Sequence, residues 1–312
     1  MQALLNESFL ISLLFGAVTA GVPLLLAGLG EQISEKAGVL NIGIEGMMLF
    51  GAYAGFVAAY YSGSFELGFI AGGLGGMVVA AFVVLLCIRN GLSQIVIGIG
   101  LTIGVEGLTA LLQFFQFSRT YPRLSAAPVI GLPLLSQIPV LGEGLFRHNV
   151  IVYLGVVLVP VLSWLFRRTY LGLNLEAAGN KPAALDAVGV DVIRTRSLAV
   201  FSTGFLAGLG GAYMANVGAG LFVPFMTGGA GFIGIVLAML ARGRPIWVLL
   251  GAALFGVSLA MTTALQVAGV NIPTDVVQML PFAMVMLVLI IFARHSVLPP
   301  ALGLPYVRGD RG

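Results

Sequence analysis

Charge is what this sequence lacks. Of 312 residues, 15 are Lys or Arg and 12 are Asp or Glu, 9% of the chain, against roughly 25% in an average soluble domain. Apolar residues make up 59%, and the mean hydropathy is +1.07. A water-soluble globule of this size cannot hide that much apolar side chain in its interior. A soluble enzyme, a DNA-binding domain and a disordered tail are therefore excluded, and a polytopic membrane protein is indicated. Lysine is nearly absent: Lys36 and Lys181 are the only two. Neither lies in a Gly-x-x-x-x-Gly-Lys-Ser/Thr phosphate loop, so the chain has no such means of hydrolysing ATP. A single cysteine, Cys87, excludes an intramolecular disulfide. The two histidines, His148 and His295, are 147 residues apart with no clustered carboxylates. Nothing resembles a metal site, a Ser-His-Asp set or a carboxylate pair for acid–base work.

Glycine is abundant, with 44 residues. It weakens helices in water but lets helix backbones approach closely in lipid. Crossing the hydrocarbon takes about 20 apolar residues. Phe9 to Leu29 and Leu67 to Ile88 suffice, and Gly68, Gly72 and Gly76 form a small-residue seam on the second. Asn149 to Phe166 and Val276 to Ala293 are shorter, each with a kinking proline, Pro160 and Pro281. No charge interrupts the 45 residues between Arg196 and Arg242. As one helix they would run roughly 68 Å, over twice the hydrocarbon thickness. Two crossings fit, broken near Gly218 to Gly231 by Pro224 and five glycines. Ile246 to Gln266 follows, with a turn at Val270 to Pro273. Asn41 to Tyr61 and Ile95 to Phe117 are apolar but carry Glu45 and Glu106. The expectation is an all-α polytopic bundle, one membrane domain over 1–312. It has about nine transmembrane helices, with eight or ten tolerable, some short or broken.

Cations orient such a chain, because short cytoplasmic loops collect Lys and Arg. Placing the loop at about 167–196 inside puts twelve of fifteen cations on that face. Arg119, Arg123 and Arg147 are then left in an outer loop at about 118–148. The N-terminus is expected outside and the C-terminus in the cytoplasm. Met1 to Ser8 carry no Lys or Arg and no small-residue cleavage site follows, so a removed signal peptide is not expected.

The inner loop reads as two short helical pieces, one ending at Gly179 and one starting at Pro182, a residue suited to a first helical turn. Gly189 ends the second. From spacing, this is a plain linker or an Ala-rich surface helix for a groove on another protein. The run Glu176-Ala177-Ala178-Gly179-Asn180-Lys181-Pro182-Ala183-Ala184, followed by Gly189-Val190, resembles the coupling segment of ATP-binding-cassette (ABC) importer permeases of the branched-chain amino acid, ribose and nucleoside family. That family carries an Arg-Ala-x-Gly-x-x-Pro-x-Ala-Ala pattern there, and Glu176 reverses the charge of its arginine. Asn41-Ile42-Gly43-Ile44-Glu45-Gly46 resembles a stretch most familiar in the nucleoside (simple sugar) branch. Ala207-Gly208-Leu209-Gly210-Gly211-Ala212 and Arg242-Gly243-Arg244-Pro245 add to the likeness.

The resemblance implies a permease subunit in a bacterial or archaeal plasma (inner) membrane, not an enzyme and with no cofactor of its own. ATP and Mg would be used by a partner ABC ATPase gripping Glu176, Ala177, Ala178, Gly179, Asn180, Pro182, Ala184 and Gly189. It also implies a second permease subunit, most often a non-identical paralogue, and an extracytoplasmic binding protein that delivers a nucleoside. Membrane lipid surrounds the chain, and no nucleic acid is involved. A ribose-type sugar or a branched-chain amino acid is the alternative solute. A proton-coupled secondary transporter and a membrane scaffold are the alternatives of other classes.

An acid at membrane depth usually faces a bundle interior or an aqueous cavity. Glu45 and Asn41, four residues apart, would share a helix face. They would line the path, hold a broken helix beside it, or serve as structural groups near the interface. Thr102, Glu106, Thr109 and Gln113 form a polar stripe for solute hydroxyls or for neighbouring helices. Phe222 and Phe225 would stack on a flat solute, plug the entrance or pack. Asn216, Gln266 and Gln278 read as interfacial.

Overall fold

A computed structural model describes residues 7–267 and 298–306, with isolated positions between them. The architecture is an all-α bundle. Its long members are α1 (Glu7–Lys36), α2 (Ile44–Ser62), α3 (Phe65–Val83), α4 (Gln94–Phe117), α6 (Val150–Arg168), α9 (Val192–Tyr213) and α11 (Pro245–Val267). Short α5 (Leu141–Leu145) lies in the loop before α6. Two more short helices, α7 (Tyr170–Asn180) and α8 (Pro182–Ala187), precede α9, and α10 (Ala230–Ala241) precedes α11. Among the described residues, five helices are long and apolar enough to cross a membrane: Glu7–Lys36, Phe65–Arg89, Gln94–Phe117, Val150–Arg168 and Val192–Ala219. The expected span over 276–293 lies outside the described residues save for isolated positions.

Polar residues at the junctions start the helices. Ser64, Ser93, Asn149, Thr169 and Asp191 each accept a backbone N–H from the first turn that follows, satisfying amides the helix cannot. Gly63, at φ 68°, ends α2 in a left-handed cap. Pro160 does not divide its helix, since α6 continues through it. The bundle differs from the expected one at two places. First, α1 runs on past Leu29 for about two more turns, burying Glu31, Gln32, Ser34 and Glu35. Second, the break after α9 is not a simple turn between two full crossings. A π-helical turn over Met214–Ala219 leads into non-helical backbone, and α10 is then only 12 residues long, about 18 Å.

Backbone contact between α2, α3 and α9 forms the centre. Gly72 and Gly76 of α3 lie against Gly208 and Gly204 of α9, and Gly51 of α2 also meets Gly208. A Cβ at Gly208 would overlap the Gly72 carbonyl oxygen, and one at Gly76 would overlap that of Gly204. Without side chains between them, the backbones touch and gain dispersion contact that lipid cannot compete with. Antiparallel α1 packs on α9, where the Thr203 hydroxyl lies 2.6 Å from the Gly30 carbonyl and 2.6 Å from Ser34 Oγ. On another flank α11 runs antiparallel to α1, with Gly256 against Ala17 and Gly28 against Val248. The 118–148 loop is held by a two-residue antiparallel ladder, Ile130 opposite His148. His148 is buried, stacks on Phe15 of α1 at 4.7 Å and lies 2.9 Å from the Gly144 carbonyl. Burial holds its pKa below the ordinary 6.5, against the opposing pull of the Gly144 bond.

Two outcomes follow from this packing. Gly208→Ala, which drives a methyl into a carbonyl that cannot move, lowers stability by about 1–3 kcal/mol. Gly104→Ala, whose Cβ meets nothing within 4 Å, leaves it unchanged; thermal unfolding of the detergent-solubilised protein compares them. His148 binds its proton more weakly folded than unfolded. The stability this neutral ring contributes is complete above its unfolded pKa and is lost as pH falls through the lower folded one. Melting temperatures below pH 6.5 therefore fall less steeply in His148→Phe than in the parent.

Candidate functional site

The non-helical segment 220–229 begins at the 118–148 loop, where Leu124 N–H donates to the Gly220 carbonyl at 2.8 Å. It ends inside the bundle at the first residue of α10. Gly231 packs on Glu45 of α2, Gly234 on Ala27 and Gly28 of α1, and Gly243 lies beside Lys36. Thus α10 runs along the last turns of α1 toward the α7–α8 end, and the irregular segment covers the remaining distance. Its inner face is fixed: Phe222 is 0% exposed and meets Tyr53 edge-on at 5.3 Å, while the Tyr53 hydroxyl donates to Gln116 at 2.6 Å. Its other face is open, with Val223, Phe225, Gly228 and Phe232 exposed. Phe225 has φ 64°, a conformation costing a non-glycine residue about 1–3 kcal/mol.

Glu45 holds the join. Its carboxylate is 2% exposed and accepts N–H bonds from Gly229 at 2.8 Å and Gly231 at 2.6 Å. It therefore caps the N-terminus of α10 from another helix, where charge-assisted bonds and the helix dipole reinforce each other. Gly229 sits at φ 88°, where a side chain is strained.

The site residues named from sequence do not form one constellation. Asn41 does not share a helical face with Glu45, because α2 starts only at Ile44. The preceding turn points Asn41 elsewhere: its N–H donates to Glu31 Oε1 at 3.0 Å, and its amide nitrogen lies 3.4 Å from the Met47 sulfur. Thr102 is buried where α4 crosses Gly46, its hydroxyl unpartnered. Glu106 is half-buried at the edge of that contact, and among the described residues nothing bonds its carboxylate. Asn216, in the π turn, donates to the Gly55 carbonyl. Gln266 and Gln278 carry no described side chain.

A second cluster lies at the α7–α8 end. Gly179 sits so close to the α1–α2 turn that a Cβ would overlap the Lys36 carbonyl oxygen. Its own carbonyl accepts from Ala301 N at 3.0 Å, and Gly303 N donates to Gly38 at 3.1 Å. Arg196 ties the parts together. It is 2% exposed and donates to Ala37 at 3.1 Å, Ala178 at 3.1 Å and Leu304 at 2.8 Å. Glu176, the charge-reversed position, pairs with Lys36 at 2.8 Å, and that ammonium also lies 5.4 Å from the Phe166 ring centre. Of the loop residues named above, Ala178 and Gly179 face inward, Ala177 and Pro182 are partly covered, and Glu176, Asn180, Ala184 and Gly189 are exposed. Large apolar side chains surround the exposed ones: Tyr170 is 85% and Val188 76% accessible, with Leu171 and Leu173 close behind.

Sequence reasoning missed the buried acids Glu31 and Glu35, because Lys36 and the polar run before it looked like a helix end. It also treated Arg196 as a boundary charge. No local pattern signals that role, since only the fold brings the carbonyls of Ala37, Ala178 and Leu304 to one guanidinium.

The fold and the two clusters thus describe an all-α bundle with membrane-length apolar helices, a broken helix at its core and a helix pair at one end that is buried behind and apolar in front. The chain belongs to the family described as branched-chain amino acid transport system / permease component, which it matches over residues 13–289. It is thus an ABC-importer permease, a transport component rather than an enzyme. It is 41% identical over 253 residues to a Haloferax volcanii protein provisionally named a glucose ABC transporter permease, covering 80% of this chain and 76% of that one. It is 30% identical over 297 residues to the nucleoside ABC transporter permease of Lactococcus lactis subsp. cremoris, covering 92% and 93%. Its fold is similar, at TM-score 0.50 and 19% identity, to an inward-facing structure provisionally assigned to the metal-chelate type of ABC transporter. That likeness covers 90% of this chain and 82% of the other.

Arg196→Met leaves three carbonyls without their donor and is expected to cost about 3 kcal/mol or more. Faster protease cleavage within 170–190 at unchanged cleavage of the 118–148 loop would register it.

Proposed function

We propose that this chain is the permease subunit that carries a nucleoside, delivered by an extracytoplasmic binding protein, through an ATP-driven importer. A separate ATPase sits on the exposed side of α7–α8, and a second permease, non-identical, completes the membrane pair. The carrying observation is the two-sided character of α7–α8. Ala178, Gly179 and Leu185 are buried against the chain's own body, while Tyr170, Leu171, Leu173, Ala184 and Val188 are exposed beyond the spans. An apolar face held rigidly from behind is suited to transmit a push. On this reading the single permease domain has its 118–148 loop and N-terminus outside, and its 167–196 loop and C-terminus in the cytoplasm.

The path runs along the open face of 220–232. Irregular backbone at membrane depth is tolerated only where protein buries it or water lines it, and Phe225 and Gly228 are exposed. Glu45 acts from behind that face, Asn41 and Thr102 stabilise the wall, and half-exposed Glu106, one turn beyond Thr102 on α4, adds a polar group for the solute. Two relatives carry nucleoside or guanosine names over more than nine-tenths of this chain. The 41%-identical relative carries a glucose name, which makes a sugar the second reading.

Reconstitution with the ATPase and binding protein tests this. Expected is ATP-dependent uptake of radiolabelled uridine, competed by guanosine and not by leucine; competition by glucose alone would favour the sugar. Ala184→Arg should cut uptake about tenfold, equivalent to about 1.4 kcal/mol of docking, without lowering the melting temperature. Uptake driven by a proton gradient without any ATPase would sink the reading.

A further inference from the structure

A helix that begins inside a membrane bundle presents free N–H groups and the positive end of its dipole. Where such half-helices border a transport path, their N-termini receive anionic groups of the solute. In this chain the position is already filled. Both Glu45 oxygens are engaged by the Gly229 and Gly231 amides, and Glu45 is almost fully buried. A Cβ on Gly231 would stand only 2.8 Å from Oε2 and 2.7 Å from the Glu45 Cα, so the carboxylate is packed directly against the helix start. Among the described residues no Lys, Arg or His pairs with it; its partner is the helix end itself. An anion approaching the open side of the same segment, at Phe225, Gly228 and Phe232, would find these amides taken. It would also meet a buried negative charge in a medium that screens poorly.

We propose that Glu45 is a resident anion that closes the α10 N-terminus to solute anions. It makes this wall of the path selective for solutes without a carboxylate or phosphate, and its removal turns the helix end into a small-anion site. The selectivity half rests on the path running along 220–232, as proposed above; the occupancy half does not. The inference separates the candidate solutes by chemistry: nucleosides and sugars pass such a wall, whereas an amino acid brings a carboxylate to it.

The test uses the permease purified with its partner subunits. Glu45→Ala is expected to lower the melting temperature by several degrees, and formate, which fits the vacated volume, should restore it saturably. Gluconate at equal ionic strength, too large to enter, should not, and neither anion should move the wild type. Absence of a formate response overturns the proposal. Glu45→Gln keeps the volume without the charge and covers the case in which the alanine protein does not fold; a wild-type melting temperature for it also overturns the proposal. For selectivity, radiolabelled sulfate trapped in proteoliposomes should escape severalfold faster through Glu45→Ala than through wild type during ATP turnover, and equal leaks overturn that half. Failure of uridine uptake by the wild type would instead strike the solute reading and leave the formate response standing.

Discussion

A backbone amide in hydrocarbon has no water to bond, so any interruption of a helix there must be satisfied by the protein itself. The chain interrupts a helix between Ala219 and Ala230, and the arrangement around that break follows from the need to repair it. Glu45 supplies two acceptors to the new helix start, which fixes α2 against α10. The α2–α3–α9 core must then bring α2 into place without side-chain spacers, and the glycine contacts of Gly51, Gly72, Gly76 and Gly208 do that. One carboxylate and one glycine seam thus determine where a half-length helix can begin.

The same economy governs the α7–α8 end. Arg196 is as buried as a core leucine, yet no carboxylate pairs with it among the described residues. Its charge is spread over three carbonyls from three separate segments, each bond stronger for the charge on the donor. A neutral amide there, with two donors against the guanidinium's five, could not pin all three. The Lys36–Glu176 pair is half-exposed and contributes at most about 1 kcal/mol, so it sets orientation more than strength. The backbone contact of Gly179 with the α1–α2 turn is the rigid part.

Much of this was legible in the residues. Sparse charge implied a membrane bundle, and the Gly68, Gly72 and Gly76 spacing marked a close helix contact that the fold makes. Pro182 and Gly189 do bound a short helix, since one fits a first turn and the other, at φ 85°, a left-handed stop. The limits have physical causes. Periodicity cannot tell that Glu31 and Glu35 lie inside a helix end rather than beyond it, because tertiary cover, not composition, decides their burial. The four-residue spacing of Asn41 and Glu45 predicts a shared face only if both are helical, and the turn at Gly43 separates them. Pro224 and its glycines announced a break but not its depth. Depth depends on a carboxylate some 180 residues earlier, a long-range partner that no local window contains.

The two clusters are not independent. Gly179 and Arg196 grip the turn at Ala37 and Gly38, and Glu31 binds the same turn at Asn41. Three residues further on, α2 begins, and its second residue is Glu45. From the buried face of α7–α8 to the first amides of α10, backbone contacts at Gly179 and hydrogen bonds from Arg196, Glu31 and Glu45 follow one another along the α1–α2 turn and the start of α2. Close-packed interiors deform as bistable units and not as springs. On the function proposed above, a displacement applied at α7–α8 would meet the α1–α2 turn first, and that turn leads into the helix whose carboxylate positions the broken one. Arg196 and Glu45, two charged residues that the fold buries almost completely, both lie on this line, each spent on backbone groups of another segment.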